Sequence, residues 1–157
     1  MRAILLAAAA LAGISTAAFA AGDTDGFRYL TKDQAFALVT KVDPKGGATS
    51  NLLSNHDDFS EAVVQRTVSG KVETHELYTD YMVVVEGKAT ITIGGKVTGN
   101  AKNPNGQPGE WLGASSTGGK VYDLVPGAMI IIPKGTPHWM QLPAGGKLHY
   151  IAFKRKG

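Results

Sequence analysis

Between residues 120 and 154 the chain alternates short apolar runs with fixed turn residues. KVYDL (120–124), AMIII (128–132), HWMQL (138–142) and KLHYIAFK (147–154) are separated by Pro126-Gly127, Pro133-Lys134-Gly135 and Pro143-Ala144-Gly145-Gly146. Proline lacks a backbone donor and glycine reaches conformations other residues avoid, so both interrupt regular structure. The same rhythm holds upstream. Residues 59–68 (FSEAVVQRTV) are rich in β-branched side chains, 81–86 form an apolar run, and 89–93 alternate before a Gly94-Gly95 turn. Many short strands with turn residues between them predict an all-β sandwich or barrel. One helix is expected, over about residues 32–41, where Thr31 and Gln34 have the spacing of a capping box.

Residues 98–119 (TGNAKNPNGQPGEWLGASSTGG) break the rhythm. Their Gly, Asn and Pro content predicts an inserted loop, with Trp111-Leu112 as its one apolar anchor. A loop of that length is either a lid over the site or plain surface.

The first twenty residues, MRAILLAAAALAGISTAAFA, read as a secretory signal peptide cleaved before Ala21. The organisation expected is therefore leader 1–20, an extension with the short helix at 21–58, and the β domain at 59–157. The exported chain is periplasmic on this reading, with no membrane segment after cleavage. It has no cysteine, so neither disulfides nor thiolate metal sites are available. The formal net charge is +3, and the Lys154-Arg155-Lys156 run reads as a solvated terminus, not a nucleic-acid site.

Chemistry concentrates in two stretches. In VETHELYTDYMVVVEG (72–87) His75 lies among Glu73, Glu76 and Asp80, immediately before an apolar strand. Ionisable groups so close to a buried strand need partners. Glu73 and His75 share a strand face, whereas Asp80 has the opposite parity and joins them only if the chain bends around residues 77–79. In GAMIIIPKGTPHWMQL (127–142) a turn at Pro133-Lys134-Gly135 delivers His138 at the start of a strand. Carboxylate and imidazole donors together suit Mn, Fe, Ni, Zn or Cu, and a second carboxylate shifts the preference toward Mn or Fe and away from Cu.

These stretches resemble the two motifs of the cupin superfamily. The second keeps Gly127, Pro133-x-Gly135 and His138 at family spacing, with Leu142 where the family has Asn. The first is degenerate: Thr67 stands at the leading Gly, Glu73 at the first His and Asp80 at the Glu, while His75 and Gly87 match. The resemblance covers about residues 59–153 and implies a single jelly-roll β-barrel with one divalent metal ion. By position its ligands are Glu73, His75, Asp80 and His138, reducing to Glu73, His75 and His138 if Asp80 does not reach. It also implies a homodimer.

Met82, Val84, Met140 and Leu142 share parity with the site residues, which suits a small apolar or aromatic organic ligand. Tyr78, Trp139 and Tyr150 are expected at a rim or subunit contact. His149 reads as a packing or edge histidine and His56 as loop surface. Glu76, Tyr78 and His149 are the candidates for a general acid or base, none with motif support. No Arg or Lys cluster adjoins either motif in sequence. The readings open at this point are a metal-dependent enzyme, a non-catalytic metal or small-ligand binder, and a structural dimer with a vestigial site.

Overall fold

The computed structural model describes residues 28–40 and 48–157. The leader lies outside them. Helix α1 (Lys32–Ala37) starts at the expected capping box: Thr31 Oγ1 accepts from the Gln34 N–H, and the Gln34 side chain accepts from the Thr31 N–H. It stops short of the expected end. The Thr40 hydroxyl donates to the Ala37 carbonyl, satisfying an acceptor that another helical turn would have used.

Among the described residues the strands are β1 (Ala48–Asn55), β2 (Phe59–Arg66), β3 (Val72–His75), β4 (Tyr78–Gly87), β5 (Ala89–Ile93), β6 (Lys96–Thr98), β7 (Ala101–Lys102), β8 (Glu110–Gly113), β9 (Ser115–Thr117), β10 (Lys120–Leu124), β11 (Met129–Ile132), β12 (His138–Gln141) and β13 (Leu148–Lys156). They form a five-stranded sheet in the order β1-β2-β13-β4-β11, a six-stranded sheet in the order β10-β5-β12-β3-β8-β7, and a two-stranded ribbon of β6 and β9. All pairings are antiparallel. This is a jelly-roll sandwich. Contrary to the barrel expectation, the two sheets are not hydrogen-bonded into a closed barrel among the described residues.

Period-two alternation decides what lies between the sheets. Val64 on β2, Met82 and Val84 on β4, and Leu148 and Tyr150 on β13 meet Ala89 and Ile91 on β5, Leu124 on β10 and Met140 on β12. The opposite face of the five-stranded sheet is also covered. Val63, Val85 and Ile151 pack against Ala35, Phe36 and Val39 of the α1 segment. Burying aliphatic side chains on both faces explains why β4 reads as a continuous apolar run.

Two expectations are corrected. The sheet begins at β1, inside the span assigned to an extension. The 98–119 segment is not a structureless loop: it contains β7, β8 and β9. Its Gly99 and Gly109 adopt positive φ at turns, and β8 lies beside β3 with Leu112 opposite Glu73 and Glu110 opposite His75. Without β8, the backbone of β3 would present an open edge next to the site.

Gly87 closes the first motif for a steric reason. Its φ is +92°, and a Cβ there would collide with the Lys147 carbonyl oxygen across the β4–β13 ladder. Gly87→Ala is expected to destabilise the fold by about 3 kcal/mol, measured by chemical denaturation.

Candidate metal centre

Glu73, His75, Asp80 and His138 converge from three strands and both sheets. The link between β3 and β4 is a sharp bend at Glu76-Leu77 that carries the chain from the six-stranded to the five-stranded sheet. The parity conflict between His75 and Asp80 therefore disappears: they face each other across the sandwich instead of alternating along one strand. His138 is aligned with Glu73 in the β12–β3 ladder. The Gly135 N–H donates to the His75 carbonyl at 2.8 Å, tying the second motif's turn to the first motif's histidine. Gly135 has φ +75°, which favours glycine there.

The donor atoms are close. Asp80 Oδ2 lies 3.2 Å from His75 Nε2 and 3.4 Å from His138 Nε2. Glu73 Oε2 lies 3.6 Å and 3.9 Å from the same nitrogens. Oxygen and nitrogen donors sharing an ion at about 2.1 Å stand roughly 3–3.5 Å apart, so these separations fit a shared cation after a small contraction. His75, Asp80 and His138 are each under 5% exposed. Both Asp80 carboxylate oxygens and His138 Nε2 are buried without a hydrogen-bond partner. Such groups are costly unless something else pairs with them. Glu73, His75 and His138 by themselves place one donor atom each within 4.8 Å of one another, a group that could hold a metal ion.

The surroundings favour ligation. His138 Nδ1 lies 3.2 Å from the Thr136 carbonyl, so the proton belongs on Nδ1 and Nε2 is left as the inward lone pair. Burial lowers the His138 pKa, outweighing the neighbouring carboxylates, and keeps the imidazole neutral. Burial raises the Glu73 carboxyl, but the hydrogen-bonded His75 ring, His138 once acid protonates it, Arg66 and Lys154 outweigh it and hold the group at about 2. Because this is below the ordinary 4.5, ionised Glu73 adds stability above about pH 4.5 and loses it as pH falls through about 2. In chelator-treated protein followed by circular dichroism, Glu73→Gln is expected to lose less stability than the native chain over that window, by up to about 3 kcal/mol.

Two basic residues complete the site, and the sequence reading missed both. Arg66 Nη2 lies 3.4 Å from Glu73 Oε1. The arginine is buried under Gly70, whose backbone is held by the Trp139 indole donating to its carbonyl and by its own N–H donating to the Met140 carbonyl. Trp139 thus fastens an interior wall. Tyr150 is buried beside Arg66, and burial raises its phenol pKa. Lys154 Nζ lies 2.7 Å from His75 Nε2 and 3.4 Å from Asp80 Oδ1. Period two held the signal for both. Ser60, Ala62, Val64 and Arg66 share one face of β2, and Leu148, Tyr150, Ala152 and Lys154 share one face of β13.

The other candidates lie elsewhere. His149 faces α1: its ring stacks on Phe36 at 4.4 Å between centroids and its Nε2 is 2.7 Å from Gln65 Oε1. His56 and Glu76 are exposed in turns. Met82, Val84 and Met140 are core, each at most 8% exposed, and Leu142 packs against them.

No protein-family model and no curated protein sequence matches the chain. Solved structures do. The cupin domain of Cnp3 from Schizosaccharomyces pombe superposes with a TM-score of 0.52 at 11% identity, covering 74% of this chain and 69% of that one. The polyketide cyclase RemF from Streptomyces resistomycificus gives 0.53 at 16% identity, covering 82% and 79%. Peruvianin-I from Thevetia peruviana latex, described as a cysteine peptidase, gives 0.54 at 17% identity, covering 87% and 76%. This chain has no cysteine, which illustrates that the likeness is one of fold. The fold is that of the cupin superfamily. Among the described residues no helix is long and apolar enough to cross a membrane.

Proposed function

We propose that this chain is an exported metal-binding cupin in which Glu73, His75, Asp80 and His138 hold one divalent ion, Mn, Fe, Ni or Zn. The observation that carries the reading is that Asp80 Oδ2 and His138 Nε2, both buried and without a hydrogen-bond partner, lie 3.4 Å apart beside His75 Nε2. Two carboxylates with two imidazoles form a hard-to-borderline site. A bound ion would supply Lewis acidity or a place for dioxygen to a small organic ligand. The chain's own residues position it: Thr136 fixes the His138 tautomer, Arg66 holds the far oxygen of Glu73, and Asp80 approaches both imidazoles. The apolar neighbours Met82, Val84 and Met140 favour an apolar or aromatic ligand.

Thermal melts of chelator-treated protein with each ion test the reading. A bound ion is expected to add about 2.7 kcal/mol at one hundred times its dissociation constant. Absence of any shift with all four ions would defeat it.

The alternative, a non-catalytic metal or small-ligand binding module, draws on the same apolar packing. Met82, Val84 and Met140 are core side chains of the sandwich interior. Ligand binding without turnover would decide for it.

Export and dimerisation belong to the same proposal. Cleavage is expected to leave Ala21 as the first residue of the periplasmic protein, read by N-terminal sequencing. A homodimer is favoured by Met129 and Ile131 on edge strand β11, which are 79% and 66% exposed.

A further inference from the structure

We propose that Lys154 is a resident cation that sets the metal affinity of this site: its ammonium lies among the ligands and must leave before a divalent ion can enter. The inference rests on the metal reading above. Its starting point is which atom the lysine covers. Lys154 Nζ is 2.7 Å from His75 Nε2, the nitrogen that faces the Glu73 and Asp80 carboxylates. An imidazole lone pair that accepts from an ammonium is not free to ligate an ion.

Charge points the same way. Glu73 and Asp80 bring two negative charges, and Arg66 and Lys154 bring two positive ones. With neutral imidazoles the cluster is balanced as it stands. A divalent ion added beside an unmoved Lys154 would leave like charges in contact within a water-poor interior, where repulsion is strongest. One of the two basic side chains has to yield.

Mobility and contacts identify it. Arg66 is pinned beneath Gly70, pairs with Glu73 through Oε1, and leaves Oε2 turned toward the imidazoles. It supports the ligand without obstructing it. The Lys154 side chain is 22% exposed, against 3% for His75 and Asp80, and sits near the outer end of β13 beside the exposed Arg155. Its four-carbon stem can swing to solvent while its backbone stays in the ladder opposite Asp80 and Ser60. The lysine is therefore a built-in competitor that occupies the site when metal is scarce.

The test is calorimetric titration of Mn²⁺ and Zn²⁺ into the full chain, Lys154→Met, Lys154→Gln and Lys154→Arg, each checked for folding by its melting curve. The expected result is binding at least tenfold tighter in Lys154→Met and Lys154→Gln than in the native protein, with no gain in Lys154→Arg. The two neutral variants guard against one that folds poorly. Native protein that binds metal, with unchanged or weaker binding in the neutral variants, would overturn the role of Lys154 and leave the metal reading intact. A gain in Lys154→Arg equal to that in Lys154→Met would also overturn it, because charge would then not be the cause. No binding of either ion by any form would overturn the inference, and only absence of a shift with all four ions in the melts above would remove the reading beneath it.

Discussion

Replacing His75 or His138 with alanine is expected to abolish the stabilisation that the proposed divalent ion confers. Each substitution removes one of two imidazole donors whose Nε2 atoms lie within 3.4 Å of the same Asp80 oxygen. No other histidine can substitute: His149 is stacked on Phe36 on the far face of the sheet, and His56 is exposed between β1 and β2. The expected result is at least a hundredfold loss of affinity, so that the shift of about 2.7 kcal/mol expected of the native protein at one hundred times its dissociation constant nearly vanishes. Melting curves with and without metal measure it. An undiminished shift in both variants would place any bound ion elsewhere.

The second large effect needs no metal. Asp80→Asn is expected to lower the stability of chelator-treated protein by about 3 kcal/mol in urea denaturation. The Asp80 side chain is 3% exposed, pairs with Lys154 at 3.4 Å and lies against both imidazoles. Neutralising it leaves the ammonium facing neutral rings, and breaking a buried pair from one side is far more damaging than removing both partners. The partial exposure of Lys154 limits the loss, since the ammonium can escape to water. The double variant Asp80→Asn/Lys154→Met should accordingly lose less than the sum of its parts, by about 1–2 kcal/mol. Strict additivity would mean that the pair contributes nothing to the metal-free fold.

Much of this was legible in the sequence because it depends on local rules. The ends of β5 and β10 follow from alternation and glycine turns, and the start of α1 from its capping box. The second motif could be read because Pro133, Gly135 and His138 act within one turn. Long-range relations were not. Asp80 had the wrong parity along the strand, and only the passage from one sheet to the other brings it opposite His75. The 98–119 segment read as a loop because Gly, Asn and Pro dominate it, yet Glu110–Gly113 form a strand because β3 supplies a partner. Lys154 was grouped with its basic neighbours as a solvated tail. Its sequence neighbourhood is polar, but its strand face is that of Leu148 and Tyr150, and that face points at Asp80.

Elemental analysis of untagged purified protein tests the central claim most directly. The account predicts close to one equivalent of Mn, Fe, Ni or Zn per chain, absent from His75→Ala and His138→Ala purified alongside. Native protein that carries none of these ions, and takes up none when dialysed against each, would contradict it.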